Sequence, residues 1–272
     1  MPKAALESVL EHIEADTARM LRAEREPVEV GPLLAAFHRT DDMVWRNYAV
    51  PIGPTDDAAA VRAALPRLRE EFAKRRRVLR FEYLAARHPA LAEQLQAFGL
   101  TLQLTAPLMV CTSTDLRPVA PRGFDLHRLT GDAADSDLAD FIRVGKEGFG
   151  ATLASVETSE IEELRGALRQ GRWRCLLARS QGVAVGVGTF CSGNSELAGV
   201  ATLPEFRRRG VAAAVSSRLL AEHFAAGGTG AWLSAADEAA RALYRKVGFQ
   251  DAGVQLNYID ATQDTGVAGD GA

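Results

Sequence analysis

The segment Glu196 to Ala212, ELAGVATLPEFRRRGVA, brings together residue types that can hold a phosphate. An apolar strand ends at Pro204, a short polar turn follows, and Arg207-Arg208-Arg209-Gly210-Val211-Ala212 opens a helix. A helix N-terminus presents unpaired backbone N–H groups and about half a positive charge, and anions settle there. Gly210 lets the backbone approach a pyrophosphate, small Ala212 keeps the first turn uncrowded, and the arginines add charge at the rim. The same residues would also make an ordinary strand-to-helix turn with a solvated basic tip, and RxxGxA spacing alone does not choose between the two. The cysteines offer no second chemistry. Cys111, Cys175 and Cys191 are odd in number, with no CxxC and no histidine at ligand spacing, which argues against a disulfide framework and against a metal site.

Periodicity supplies the elements that must position this segment. Phe124 to Leu129 reads as a strand, and Leu138, Phe141 and Ile142 mark a helix. Ser159 with Glu162 forms a capping-box pattern at the start of a second helix carrying Ile161, Leu164 and Leu168. Two apolar strands come next, Trp173 to Arg179 and Val183 to Cys191, joined by Ser180-Gln181-Gly182; within them Cys191 reads as core. Gly193-Asn194 turns the chain into a third run, Glu196 to Leu203. Beyond the basic loop come a helix with Val211, Val215, Leu219 and Phe224, a short strand Ala231 to Ser234, and a helix from Asp237 to Val247. Gly248 takes the C′ position of that helix, and Phe249 to Ile259 is expected to be the last strand.

The first half is less regular. Residues 5–25 carry apolar positions at helical spacing, and Pro27, Gly31 and Pro32 punctuate the stretch after them. Asp56 to Arg77 reads as a helix with Val61, Leu65, Leu68 and Phe72 on one stripe and a kink or restart expected at Pro66. Val78 to Tyr83 reads as a strand, Pro89 to Phe98 as a helix stopped by Gly99, and Thr101 to Cys111 as a strand interrupted at Pro107. Residues 112–123, with Pro118 and Pro121, are a candidate linker. Residues 261–272 have almost nothing to bury and are expected to be a disordered tail.

Composition narrows the function classes. A chain of 272 residues with 47% apolar and 25% charged residues is that of one large or two modest globular domains. A net charge of −3 argues against a broad basic face for nucleic acid. No apolar run approaches the ~20 residues that cross a bilayer, and Met1 to Ala23 lacks the apolar block of a signal peptide. The expected setting is cytoplasmic, soluble and reduced, with neither membrane nor nucleic acid as partner.

Strand, RxxGxA loop, helix, strand, then a helix ending in Ala242-Leu243-Tyr244-Arg245-Lys246-Val247-Gly248-Phe249 resembles the GCN5-related N-acetyltransferase (GNAT) superfamily over about 124–260. The resemblance implies a mixed α/β fold whose sheet is mostly antiparallel, flanked by helices and splayed at its centre. It also implies acetyl-CoA as co-substrate, with no metal. The pyrophosphate would sit on the amides of Arg208, Arg209, Gly210, Val211 and Ala212 with Arg207 beside them. The pantetheine arm would add to the backbone of Val200, Ala201 and Thr202. Tyr244 would serve as general acid to the leaving thiolate.

Glu196 is the candidate base, eleven residues before Arg207, the offset of the catalytic glutamate in the histone-acetylating branch of the family. Strand alternation places Glu196, Ala198, Val200 and Thr202 on one face. An ammonium substrate must lose a proton before it attacks, and a carboxylate in a dry cleft can take it directly or through water. Many relatives carry asparagine where this chain has Asp237, which keeps a helix cap but weakens the case for contact with an anionic cofactor. Phe149-Gly150 would lie in the acceptor-binding loop, with Glu147 and Glu157 nearby to attract a cationic amine.

Residues 28–111 echo the order of elements in 207–259, with Leu95 where Tyr244 would stand. The turn Gly53-Pro54-Thr55-Asp56-Asp57 has no RxxGxA, and its aspartates would repel phosphate. This half resembles the degenerate N-terminal domain of tandem GNAT proteins. The reading is therefore an N-terminal helix (1–27), a degenerate domain (28–111), a linker (112–123) and a catalytic domain (124–260). It would transfer acetyl to a primary amine of a small molecule or protein, as a monomer or homodimer. A non-catalytic acyl-CoA-binding or interaction module is the alternative.

Overall fold

Leu33, Leu34, Ala35, Ala36 and Phe37 are all buried, a run that only a strand covered on both faces tolerates. The computed structural model describes residues 3–152 and 155–261 and divides into two compact units. The expected tail from 262 onward lies outside the described residues. The first unit holds the chain as far as Leu108, with Ser234–Asp237 and the chain from Asp251. The second holds Met109–Leu233 and Glu238–Gln250.

In the first unit α1 (Lys3–Glu24) leads into β1 (Glu26–Val30), β2 (Leu33–Phe37) and β3 (Tyr48–Pro51), then α2 (Ala58–Lys74), β4 (Arg80–Leu84), α3 (Leu91–Ala97) and β5 (Thr101–Thr112). Hydropathy patterning does not reveal the three strands of 26–51. They are short, and their turn signals outweigh so brief a pattern. The last strand of the chain, β11 (Gln250–Ile259), joins this sheet, in the order β1-β2-β3-β4-β11-β5. Its pairing with β4 sets Tyr258 opposite Phe81. The family resemblance places β11 in the catalytic domain of 124–260; the structure puts it from Asp251 on in the other unit. The N-terminal helix is likewise part of this unit, burying Ala18 and Leu21 against Leu34, Ala36 and Val50.

Pro66 does not break α2, which runs unbroken and buries Val61, Ala64, Leu65, Leu68 and Phe72. Pro66 itself is exposed, so the carbonyl that its missing N–H leaves unpaired faces water. Pro107 also leaves β5 continuous, and its carbonyl accepts from the Ala235 N–H at 2.8 Å.

The second unit takes the end of β5, then β6 (Asp125–Leu129), α4 (Asp135–Gly148), α5 (Thr158–Arg169), β7 (Trp173–Ser180), β8 (Val183–Cys191), β9 (Glu196–Thr202), α6 (Val211–Ala225), β10 (Gly230–Ser234) and α7 (Glu238–Val247). Its strands lie in the order β10-β9-β8-β7-β6. The pairs from β6 to β9 are antiparallel, and β9 runs parallel to β10. The core on one face gathers Leu138, Val144 and Leu164 from the helices with Cys175, Leu177, Val187 and Ala201 from the strands. The capping box of α5 is not Ser159 with Glu162 but Glu157 with Glu160, two residues earlier. A glutamate side chain reaches the free amides as well as a serine does, and the helix starts at Thr158 accordingly. The expected linker is bound to this unit: the Arg117 N–H donates to Val247 O at 2.8 Å and the Val119 N–H to Ser217 Oγ at 2.9 Å.

Candidate active site

Strand β9 carries an extra residue. Thr189 faces Ala198 across the ladder and Val187 faces Ala201, so Gly188 of β8 opposes both Gly199 and Val200 of β9. Gly199, at φ +59°, absorbs the irregularity, as a glycine in a bulge does. Opposed residues point to the same side of a sheet. Cys191, Thr189 and Val187 alternate onto the α4 face, where Thr189 Oγ1 lies 3.7 Å from buried Cys175 Sγ. Glu196, Ala198 and Ala201 therefore share that face.

Val200 and Thr202 turn to α6. A Cβ built on Gly188 would lie 2.6 Å from Val215 Cγ1 of that helix and 3.4 Å from Val200 Cγ2. One on Gly186 would meet Val211 Cγ1 and Thr202 Oγ1. The alternation that places Glu196 and Ala198 on one face with Val200 and Thr202 fails at Gly199, because the bulge flips the phase. The two glycines of β8 let α6 settle directly on the sheet, which brings its N-terminus to the end of β9.

The registered pairing of β9 with β10 is the single pair Glu196 and Trp232. Among the described residues Val200 to Thr202 have no registered partner on that side. Backbone groups on such an edge are free to bond an extended chain.

A 3-10 turn, Pro204–Phe206, leads from β9 into the basic loop. Arg208 (φ +65°) and Gly210 (φ +83°) both adopt the left-handed conformation that the turn requires. Gly210 is the N-cap of α6 and contributes no side-chain cap, so the first-turn amides stay open. The start of α2 offers a contrast. There Asp57 accepts from the N–H groups of Ala59 and Ala60, so its carboxylate already occupies the place an anion would take.

The three arginines of the loop differ. Arg207 is exposed but reaches back across the surface: Nη2 donates to Gly148 O at 2.9 Å and Nε to Thr202 O at 3.3 Å. It ties the end of α4 to the end of β9. Arg208 is exposed, and Arg209 lies 5.0 Å over the Phe206 ring. Gly148 lets α4 press on β9, since a Cβ there would lie 2.7 Å from Ala201 Cβ and 3.2 Å from Thr202 N. Motif reasoning passes over Gly148; its signal is a glycine in the last turn of an otherwise regular helix.

Tyr244 sits on α7, half-buried, with its ring edge-on to Phe249 at 5.7 Å. Burial pushes its hydroxyl up to about 12, so the phenol keeps its proton at neutral pH. Glu196 opens β9, half-buried, and Oε2 accepts from Asn194 Nδ2 at 3.1 Å. Asn194 is a second residue that motif reasoning misses. Its backbone carbonyl accepts from the Trp232 indole at 2.7 Å.

Asp237 is exposed just before α7 and falls in the first unit, whereas the loop, Glu196 and Tyr244 belong to the second. Glu147 pairs with Arg143 at 3.1 Å and Glu157 caps α5, so both expected amine-attracting carboxylates have structural partners. Phe149 beside them is exposed. Burial raises the Cys111 and Cys175 thiols to about 12, far from nucleophilic. Cys191 ends β8 and is only half-buried rather than core. Among the described residues no helix is long and apolar enough to cross a membrane.

The acetyltransferase (GNAT) family model matches residues 146–249. Among curated proteins no sequence matches the chain significantly. Solved structures do. A GCN5-related N-acetyltransferase from Kribbella flavida is 25% identical, with 93% of this chain and 95% of that one covered and a TM-score of 0.76. A tandem GNAT protein from the clavulanic acid biosynthesis pathway superposes with a TM-score of 0.61 at 16% identity, covering 84% of this chain and 77% of that one. A GCN5-related N-acetyltransferase from Sphaerobacter thermophilus gives 0.60 at 18%, covering 84% and 75%. These last two share the fold.

Proposed function

We propose that the second unit, whose residues 146–249 match the acetyltransferase (GNAT) family model, transfers an acetyl group from acetyl-CoA to a primary amine. The observation that carries this reading is the start of α6: an N-cap glycine with no side-chain cap, at the end of a strand whose outer edge is open beyond Glu196. Open amides and the helix dipole receive a pyrophosphate. The edge of Val200 to Thr202, where Thr202 O already accepts from Arg207 Nε, receives the amide groups of the pantetheine arm as a further strand would be received. Arg207 acts at one remove, by fixing the end of β9.

The acetyl thioester supplies the activated acyl group. Glu196 takes the proton from the substrate ammonium, directly or through water, and the freed amine nitrogen forms a bond to the carbonyl carbon. As the carbon–sulfur bond breaks, Tyr244, protonated at neutral pH, donates to the departing sulfur, and the proton that the new amide nitrogen sheds passes through solvent to restore the phenol. Holding amine and thioester together supplies much of the remaining acceleration. The acceptor is a small-molecule or protein amine, the setting cytoplasmic, and the assembly a monomer or homodimer. The first unit, with Asp57 on the amides of α2, takes no acyl-CoA.

The test is a calorimetric titration of acetyl-CoA into the whole chain. One site per chain, lost in Gly210→Glu, is the expected result. Two sites would remove the assignment of the first unit, and no binding would remove the whole reading. A Cβ on Gly210 meets nothing within 4 Å, but its φ of +83° strains any other residue there, so the variant is expected to lose some stability as well. A thermal melt of the variant separates lost binding from lost folding.

A further inference from the structure

The face of the sheet that α4 and α5 cover in the second unit is covered only in part. Cys175, Val187 and Ala201 are buried in the core beneath the helices, whereas Thr189, Cys191, Glu196 and Ala198 on the same face stay partly exposed. Register sets the open part out as a row. Trp173 lies opposite Cys191, Cys191 opposite Glu196, and Glu196 opposite Trp232, so four side chains cross β7, β8, β9 and β10 on one face. Trp232 closes one end of the row, buried with its indole N–H on Asn194 O. Trp173 stands at the other end, partly buried against the helix core. It is two strand spacings, about 10 Å, from Glu196.

This floor has one carboxylate, that of Glu196. Thr189 and Ala198 are neutral, and Cys191 adds a small, soft side chain between Glu196 and Trp173. The carboxylates of α4 and α5 hold cations of their own. Asp137 and Asp140 pair with Arg179 at 2.6 and 2.8 Å, Glu147 with Arg143 at 3.1 Å, and Glu160 with Lys146 at 2.8 Å. Arg172 lies 6.0 Å over the Trp173 ring, so a second ammonium at that end would meet a like charge. One carboxylate, small side chains and an aromatic ring at the far end complement a single ammonium joined to a flat apolar group.

Resting on the acetyl-transfer reading, we propose that the acceptor is a small arylalkyl monoamine. Its nitrogen lies at Glu196, its chain crosses Cys191, and its ring meets Trp173. Trp173 then determines specificity without touching the bond that forms. A polyamine finds no second counter-charge on this floor, and the floor ends within the length of a small molecule.

The experiment measures kcat/KM on the full chain, with acetyl-CoA as donor, for ethylamine, phenylethylamine, spermidine and a lysine peptide. Phenylethylamine is expected to exceed each of the others about tenfold, the worth of burying part of a ring. In Trp173→Ala its advantage over ethylamine should vanish through a higher KM, while kcat, the ethylamine values and the acetyl-CoA Kd stay as they were. Trp173 also packs on the core, so a melting curve of the variant accompanies the kinetics; the wild-type order of acceptors tests the proposal without any variant. Equal values for phenylethylamine and ethylamine, or a preference for spermidine or the lysine peptide, would overturn this inference alone. So would an equal loss toward both monoamines in a folded Trp173→Ala. Acetyl-CoA that binds but acetylates none of the four amines would overturn the acetyl-transfer reading with it.

Discussion

Asn194 donates from Nδ2 to Glu196 Oε2 at 3.1 Å, and the donor is almost wholly buried, at 2% exposure. The amide is held from behind, because its own backbone carbonyl accepts the Trp232 indole. It is a rigid support for a carboxylate that must face its substrate in one orientation. Asn194→Ala should lower kcat/KM about tenfold, the worth of a hydrogen bond to a charged group, and leave the acetyl-CoA Kd unchanged. Asn194→Asp should shift the acid limb of the pH–rate profile upward, since a second carboxylate disfavours the ionised form of Glu196. In a Glu196→Gln background neither substitution should add to the loss. Additive losses would show that Asn194 acts through the fold instead.

Tyr244→Phe removes one oxygen and leaves the edge-on contact with Phe249 in place. If the hydroxyl is the acid, kcat falls about 10²-fold or more while acetyl-CoA binds as before. The buried phenol also predicts the shape of the pH profile. An ordinary tyrosine ionises near pH 10, whereas Tyr244 is raised to about 12 by burial. Activity should therefore hold through pH 10 without a basic limb from this residue. A limb near 10 that vanishes in Tyr244→Phe would contradict the burial argument.

The chemistry legible in the sequence is the part confined to a few neighbouring residues. The Arg207 to Ala212 loop reads correctly as a strand-to-helix turn because its glycine, its basic run and the helix after it are all local. Tertiary partners are not legible. Period-two alternation from Glu196 puts Val200 on the wrong face, because a bulge is decided by the ladder to β8; Gly199 inside a strand is its only trace. Residues 250–259 read plainly as a strand, but nothing in periodicity says which sheet a strand joins, and this one joins the first unit. Asn194 passes for turn punctuation. Turn propensity does not report its bond to the Glu196 carboxylate, a side-chain contact rather than the side-chain-to-backbone bond that makes asparagine a turn residue.

Gly148 is a place where a methyl group should disturb the proposed site. A Cβ there would lie 2.7 Å from Ala201 Cβ with the Thr202 amide at 3.2 Å, so α4 or β9 has to move. Gly148→Ala should destabilise the protein by about 1–3 kcal/mol, the usual cost of overpacking, despite alanine's better helix propensity. It should also weaken acetyl-CoA binding, because the displaced strand end is the proposed pantetheine edge. Thermal melts with and without acetyl-CoA measure both effects. A variant as stable as the wild type would mean that the close approach is readily relaxed.

His223 makes stability depend on pH in a direction that can be worked out. The ring is buried on α6, 4.4 Å from the Phe190 ring, and Nε2–H donates to Gly230 O at 2.9 Å. Burial lowers its pKa below 6.5, with Arg174 adding to that shift and the Gly230 bond opposing it. The folded state therefore holds His223 neutral where the unfolded chain has begun to take up a proton. Between the lowered folded value and about 6.5 the unfolded state binds more protons, so stability falls as the pH falls through that window. Denaturant titrations at pH 7.5, 6.0 and 5.0 should show the wild type losing stability on acidification faster than His223→Gln, which keeps a donor for Gly230 but cannot charge. The gap between the two proteins should narrow toward pH 5. If it is the same at all three values, the acid sensitivity belongs to other groups.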